Sequence, residues 1–273
     1  MRASGFFHVL FLSILIVVFV LLPILNQMES LYKLPRDRAR FEAYLTLLQG
    51  SQKGDMHLPI AGYNPMGKGF VLDKIRELKK LGAEQLMEEA IKEVNEELRD
   101  QPLKEIEVTL NLVDDVGGAW SNRATVDFSS KFLIEPLIKR NFCTPHIWTS
   151  EQLTKDIIIN RTKEYLFRTF YWTQHGKPKS LKDHVSQETY VASKIDYKGK
   201  DLHIDLKDAK DFYSQNQDSQ DYSLLFNFFY GDKASEVLNY ATYGSSENLG
   251  FIFSRYLARD KKHLGVNLNF FVE

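Results

Sequence analysis

Hydrophobic side chains open this chain as one unbroken run and afterwards recur mostly with a helical period. From Phe6 to Leu25 the sequence FFHVLFLSILIVVFVLLPIL holds no charged residue when His8 is neutral. As a helix, Val9 to Leu25 extends roughly 26 Å, close to the ~30 Å hydrocarbon layer of a bilayer. The run closes on Pro-Ile-Leu-Asn-Gln-Met without an Ala-x-Ala pattern, so it reads as an uncleaved transmembrane anchor over residues 1–26. Its orientation is argued in both directions by charge. Arg2 and the N-terminal amine favour a cytoplasmic start, whereas Lys33, Arg36, Arg38 and Arg40 lie beyond the run. Long domains translocate largely regardless of charge, which favours an extracytoplasmic position for the remainder of the chain.

Beyond the run, residues 27–273 show the periodicity of a helix-rich domain. Pro35 to Gln49 begins with proline, presents Phe41, Tyr44, Leu45 and Leu48 on one face, and is followed by Gly50. From Val71 to Leu98, apolar residues recur at Val71, Ile75, Leu78, Leu86, Ala90, Ile91, Val94 and Leu98, with Gly82 marking a break. A further helix runs from a cap at Thr149 or Ser150 to about Tyr171, and Ser180 with Asp183 forms a capping-box pattern that starts another. Strand alternation is clear in EIEVTLNLVDD, residues 105–115. ATVDFSSKF, residues 124–132, alternates again after the VGGAW turn, which predicts an antiparallel hairpin. SQNQDSQD, residues 214–221, is a polar linker, and the closing LGVNLNFFV alternates like a strand. The fold class read from these patterns is α+β, predominantly helical, with an N-terminal transmembrane helix and a small antiparallel β element. A C-terminal helical subdomain over 222–273 is a secondary division of the same chain.

Composition narrows the functional classes. With 44% apolar and 26% charged residues, the chain has the make-up of an ordinary globular protein. A formal net charge of -1 removes the general electrostatic case for nucleic-acid binding. Its one cysteine, Cys143, excludes an intrachain disulfide and thiolate metal clusters, and reads as a small buried apolar residue.

Three stretches carry candidate chemistry. GYNPMGKG, residues 62–69, matches the glycine and lysine spacing of a phosphate-binding loop, but Gly69 stands where a Ser or Thr would hold Mg²⁺. Pro65 removes a backbone donor and Pro59 argues against a preceding central strand, so the segment reads as a turn into a helix and a nucleotide is not expected. VDDVGGAWSNRATVDF gathers Asp114, Asp115, Trp120, Asn122, Arg123 and Asp127 around Gly117-Gly118, and is the first choice for a binding loop. A divalent metal would fall to His175, His184 and Glu188, the last two four residues apart on one helical face, with His146 as the alternative to His175 for the third ligand. Neither the HExxH zinc signature nor the G-x-S-x-G elbow of serine hydrolases is present.

The functional expectation is a single-pass membrane-anchored binding or scaffolding domain at the cell envelope, with a protein partner as one class of ligand. The alternative is a metal-dependent hydrolase built on His175, His184 and Glu188, with Asp114 or Asp115 as general base.

Overall fold

The apolar run at the start of the chain leads into a sheet. The computed structural model describes residues 19–50, 54–99, 104–116, 122–197 and 206–263. Phe19–Leu21 forms strand β1, and Leu25–Lys33 forms helix α1. The first part of the expected anchor, residues 6–18, lies outside the described residues, as do Trp120, Gly117-Gly118 and the closing LGVNLNFFV. The described end of the run contradicts a membrane-spanning helix over residues 6–25. Phe19, Ile24 and Leu25 are each 1% exposed within the protein core. Phe19 N–H and C=O are paired with the side chain of Asn95, at 3.0 Å each. Among the described residues no helix is long and apolar enough to cross a membrane. The single-pass, signal-anchor reading and the envelope location built on it are therefore corrected. A short apolar run also suits a strand, and this one ends as β1, with Phe19 buried, Leu21 partly covered and Val20 exposed.

Four helices separate β1 from the next strand: α1, α2 (Arg38–Leu48), α3 (Gly69–Leu81) and α4 (Ala83–Leu98). Gly82, with φ of 73°, provides the left-handed residue that ends α3 and lets α4 start in a new direction. Strands β2 (Ile106–Val108) and β3 (Asn111–Val113) follow, then α5 (Arg123–Phe132), α6 (Glu135–Lys139), β4 (Phe142–Cys143) and β5 (His146–Trp148). The order is β1-β2-β4 in one sheet and β3-β5 in the other, and every strand pair is parallel. Phe19 aligns with Ile106, Glu107 with Phe142, and Asn111 with His146. Thr109 N–H to Cys143 O at 3.0 Å and Asn111 N–H to Pro145 O at 2.9 Å keep the 106–113 segment paired with the 142–148 segment from one sheet into the next.

The antiparallel hairpin is thus a second correction. Residues 105–115 supply strands, but 124–132 form α5, whose N-terminus is capped by the Asn122 side chain accepting from Thr125 N–H. Phe128 and Phe132, four residues apart, fall on one helical face and are buried. The described residues are about 62% helical.

The remaining helices are α7 (Lys155–His175), α8 (Leu181–Lys194), α9 (Leu206–Asn216), α10 (Tyr222–Val237) and α11 (Leu249–His263). Helix α8 starts with the expected capping box of Ser180 and Asp183. Helix α7 starts later than its sequence implied. Thr154 is its cap, because the Thr149 and Ser150 hydroxyls instead bond to Asp115. Two apolar clusters result. One joins the strands to α1–α4 and α7, and the other packs α5 and α8 against α9–α11.

Candidate functional site

Parallel strands β3 and β5 end side by side, which brings two loops from distant parts of the sequence together. Ligand sites in parallel sheets form at these carboxyl ends. Asp114 and Asp115 follow β3, and Thr149, Ser150 and Glu151 follow β5.

The two aspartates have different partners. Asp114 is buried and accepts from Asn64 Nδ2 at 3.1 Å. Asn64 also accepts from Met66 N–H through its side chain and from Gly67 N–H through its backbone, so GYNPMGKG is a closed turn fastened to Asp114. No strand among the described residues leads into it, since residues 54–61 contain only the isolated bridge at Met56. Asp115 accepts from Ser150 N–H, Ser150 Oγ, Thr149 Oγ1 and Arg123 Nη1 at 2.7–3.0 Å. Burial opposes ionisation of Asp115, but these donors and the Arg123 charge outweigh it and hold the carboxyl below its ordinary range. Arg123 is thereby fixed with its guanidinium 4.9 Å from the Trp148 ring centre. Asn122 has the structural role of capping α5.

Arg123 and Trp148 line a cleft of ≈ 710 Å³. Helices α5, α7 and α8 supply one part of its wall, and α10, α11 and the loop between them supply the rest. Its walls hold cationic Arg123, Lys131, Arg161, Arg168, Lys233 and Arg255, and anionic Asp127, Glu151, Glu164, Glu188 and Glu247. Most of these charges are already paired. Lys131 Nζ is 2.5 Å from Asp127 Oδ2, which also accepts from Tyr230 Oη at 2.7 Å. Arg161 Nη2 reaches Glu151 at 2.9 Å, while its Nη1 donates to His146 O at 2.7 Å. Arg168 makes two bonds to Glu188, at 2.7 and 2.8 Å. Burial works against the charged forms of Asp127 and Glu188, yet Lys131 and Arg168 respectively keep both carboxyls below their ordinary range. Lys233 and Arg255 have no carboxylate partner among the described residues; Arg255 lies over the Tyr197 ring at 4.3 Å.

The proposed metal ligands have other partners. His175 ends α7 with its ring 4.4 Å from that of Tyr171. His184 is buried, with Nδ1 2.8 Å from Ser180 O and its ring against Phe132, and burial depresses its basicity. Glu188 is engaged by Arg168. Among the described residues, no group of three or more His, Cys, Asp or Glu side chains is placed to hold a metal ion. Cys143 is buried in β4, and burial pushes its thiol up to about 12, as for an inert core residue.

Of the residues singled out from sequence, Arg123, Asp127 and Glu188 line the cleft and Asp115 supports it. The rest of the lining escaped that reading. Helix α7 did carry a usable signal: Arg161, Glu164 and Arg168, spaced by three and four residues, place a charged stripe on a helix with Tyr165, Leu166, Phe167 and Phe170 buried around it. No protein-family model matches the sequence, and comparisons with curated proteins and with solved structures give no match. The site's own chemistry is the basis for a functional reading.

Proposed function

We propose that this chain is a binding domain whose charged cleft holds a small anionic ligand, with a carboxylate or phosphate group directed to Lys233 and Arg255. The supporting observation is the difference between the two walls. On the α5–α7–α8 wall every cation lies against a carboxylate, so its charges are fixed and largely neutralised. On the α10–α11 wall, Lys233 and Arg255 face the cleft without a carboxylate partner among the described residues. Glu247 is the carboxylate of this wall without a cationic partner among the described residues, so two cations stand against one anion there. Fixed ion pairs line a ligand site without competing for the ligand, whereas unpaired cations attract it and bond it directly. The volume of ≈ 710 Å³ suits a small molecule. Trp148, Tyr197 and Phe251 add flat apolar surface beside these charges.

Metal-assisted hydrolysis has no comparable support, because His184 faces Phe132 and the Ser180 carbonyl while Glu188 is bound by Arg168.

Calorimetric titration of the full chain with citrate and with inorganic phosphate, beside glycerol and spermidine at matched ionic strength, tests the proposal. Saturable binding of an anion is expected, with a loss of tenfold or more in Lys233→Gln/Arg255→Gln. Equal binding of spermidine or glycerol, or full retention of anion affinity by the double variant, overturns it.

A further inference from the structure

Asp127, on α5, lines the charged cleft with its two carboxylate oxygens in different situations. Oδ2 accepts from Lys131 Nζ at 2.5 Å and from Tyr230 Oη at 2.7 Å. Lys131 stands one turn further along α5, and Tyr230 is buried where Gly231 breaks α10. Oδ1 has no hydrogen-bond partner among the described residues. It is not enclosed either: 14% of the Asp127 side chain remains exposed, and Oδ1 is absent from the buried polar atoms that lack a partner. The carboxylate therefore offers the cleft one oxygen with its accepting capacity unused.

The surroundings say what that oxygen takes. Burial opposes ionisation of Asp127, but the Lys131 charge and the two donors outweigh it and hold the carboxyl below its ordinary range. Oδ1 thus accepts a hydrogen bond and gives none. Lys131 already balances the charge, so a ligand ammonium gains little extra attraction there, whereas a neutral hydroxyl gains a charge-assisted bond. The exposed Glu247 is the acceptor an ammonium would use instead. Asp127 is also tied to the residues that carry the unpaired cations. Phe251 packs on Lys131, with Nζ 4.6 Å from its ring centre, and on Tyr230 at 5.7 Å. Arg255 follows Phe251 by one turn of α11, ~5.4 Å along the axis, and Lys233 follows Tyr230 just beyond the Gly231 break.

We infer that the ligand of the cleft is a hydroxylated anion, whose carboxylate or phosphate meets Lys233 and Arg255 and whose hydroxyl, a few bonds away, donates to Asp127 Oδ1. The inference rests on the anion-binding reading of the cleft and adds the second group that the ligand carries. An anion without a hydroxyl leaves Oδ1 to water. An anionic group turned toward Oδ1 meets a like charge, so Asp127 also fixes which end of the ligand faces α5.

The test compares malate, succinate and aspartate, which carry a hydroxyl, a hydrogen and an ammonium at the same carbon. They are titrated calorimetrically into the full chain beside citrate and inorganic phosphate. Malate should bind about tenfold more tightly than succinate, the worth of a hydrogen bond to a charged group, and aspartate should show no such advantage. In carbon nuclear magnetic resonance of the unaltered protein, the Asp127 carboxyl signal should shift with malate and stay in place with succinate. Asp127→Ala/Lys131→Met removes the acceptor and its balancing charge together, and should bind malate and succinate equally. Equal binding of malate and succinate by the unaltered protein, tighter binding of aspartate than of malate, an unmoved Asp127 signal, or a malate preference kept by the double variant overturns the inference and leaves the anion-binding reading in place. So does binding of citrate or phosphate without binding of malate. Failure of all five anions to bind overturns both. If the double variant does not fold, the readings on the unaltered protein decide.

Discussion

Arg168 and Glu188 expose only 2% and 5% of their side chains and share two hydrogen bonds across α7 and α8. A buried ion pair adds little net stability over apolar packing, but loss of one member leaves an enclosed uncompensated charge. Glu188→Gln should therefore destabilise the protein by about 3–5 kcal/mol in urea unfolding, whereas Arg168→Met with Glu188→Leu should recover most of that loss. Acid should act as the single substitution does. Since the Glu188 carboxyl titrates below its ordinary 4.5 in the folded protein, its contribution is complete above that pH and disappears as pH falls through the lower folded value. In the sequence the pair was hidden. Glu188 was legible only as a neighbour of His184 at helical spacing, and its real partner is on another helix 20 residues away. The capping box of Ser180 and Asp183 was legible because all its contacts lie within one turn.

Local signals likewise decided which elements could be read. Gly82 announced the break between α3 and α4, and the alternation of residues 105–115 announced β2 and β3. Alternation misled at 124–132, where Ala124, Val126 and Phe128 fit a strand, while the Asn122 cap and the Phe128–Phe132 spacing fit the helix that forms. Strands β4 and β5, of two and three residues, were too short for any period. The end of the N-terminal run was ambiguous in principle, because periodicity does not separate a short apolar strand from a segment of buried helix. Glycines sharpen the point within helices. Gly231 has φ of 82° and ψ of 173° inside α10, and an added Cβ would lie 2.8 Å from Glu247 N and 2.9 Å from Ser246 C. Its break places Tyr230 on Asp127 and lets Asp232 accept from Tyr243, Gly244 and Ser245 N–H, holding the loop that brings Glu247 and Asn248 to the cleft. Gly231→Ala should cost about 3 kcal/mol, from a backbone region open essentially to glycine alone and from the contact with residues 246–247. Gly69→Ala makes the opposite prediction. That glycine begins α3 with nothing within 4 Å of the added carbon, so the variant should gain about 0.5–1 kcal/mol in the same thermal or urea unfolding measurement.

The whole molecule joins its parts where sequence reading sees a boundary. The cleft draws on α5, α7, α8, α10 and α11, so its cations and carboxylates are scattered from Arg123 to Arg255 and form no motif. A stretch such as VDDVGGAWSNRATVDF could reveal the supporting Asp115–Arg123 pair, but not the helices that complete the wall. The aromatic residues beyond 222 follow a polar stretch, which makes them look like a separable subdomain, and the packing predicts how that division should behave. Phe128 and Phe132 of α5 and Leu181 and Val185 of α8 are buried in the same cluster as Phe226, Phe228, Phe229 and Phe253. Ending the chain at residue 221 would expose those four side chains of α5 and α8. At ~1.5–3 kcal/mol for each fully buried large apolar side chain, the loss is roughly 6–12 kcal/mol. That is comparable with the entire stability of a typical domain, about 5–15 kcal/mol. The fragment 1–221 should therefore lack a cooperative urea transition and bind a hydrophobic dye such as anilinonaphthalene sulfonate, while the full chain shows a cooperative transition and little dye binding. A fragment that unfolds as sharply as the full chain, without dye binding, would instead make residues 222–273 a dispensable appendage and leave α5 and α8 stable without the helices that cover them.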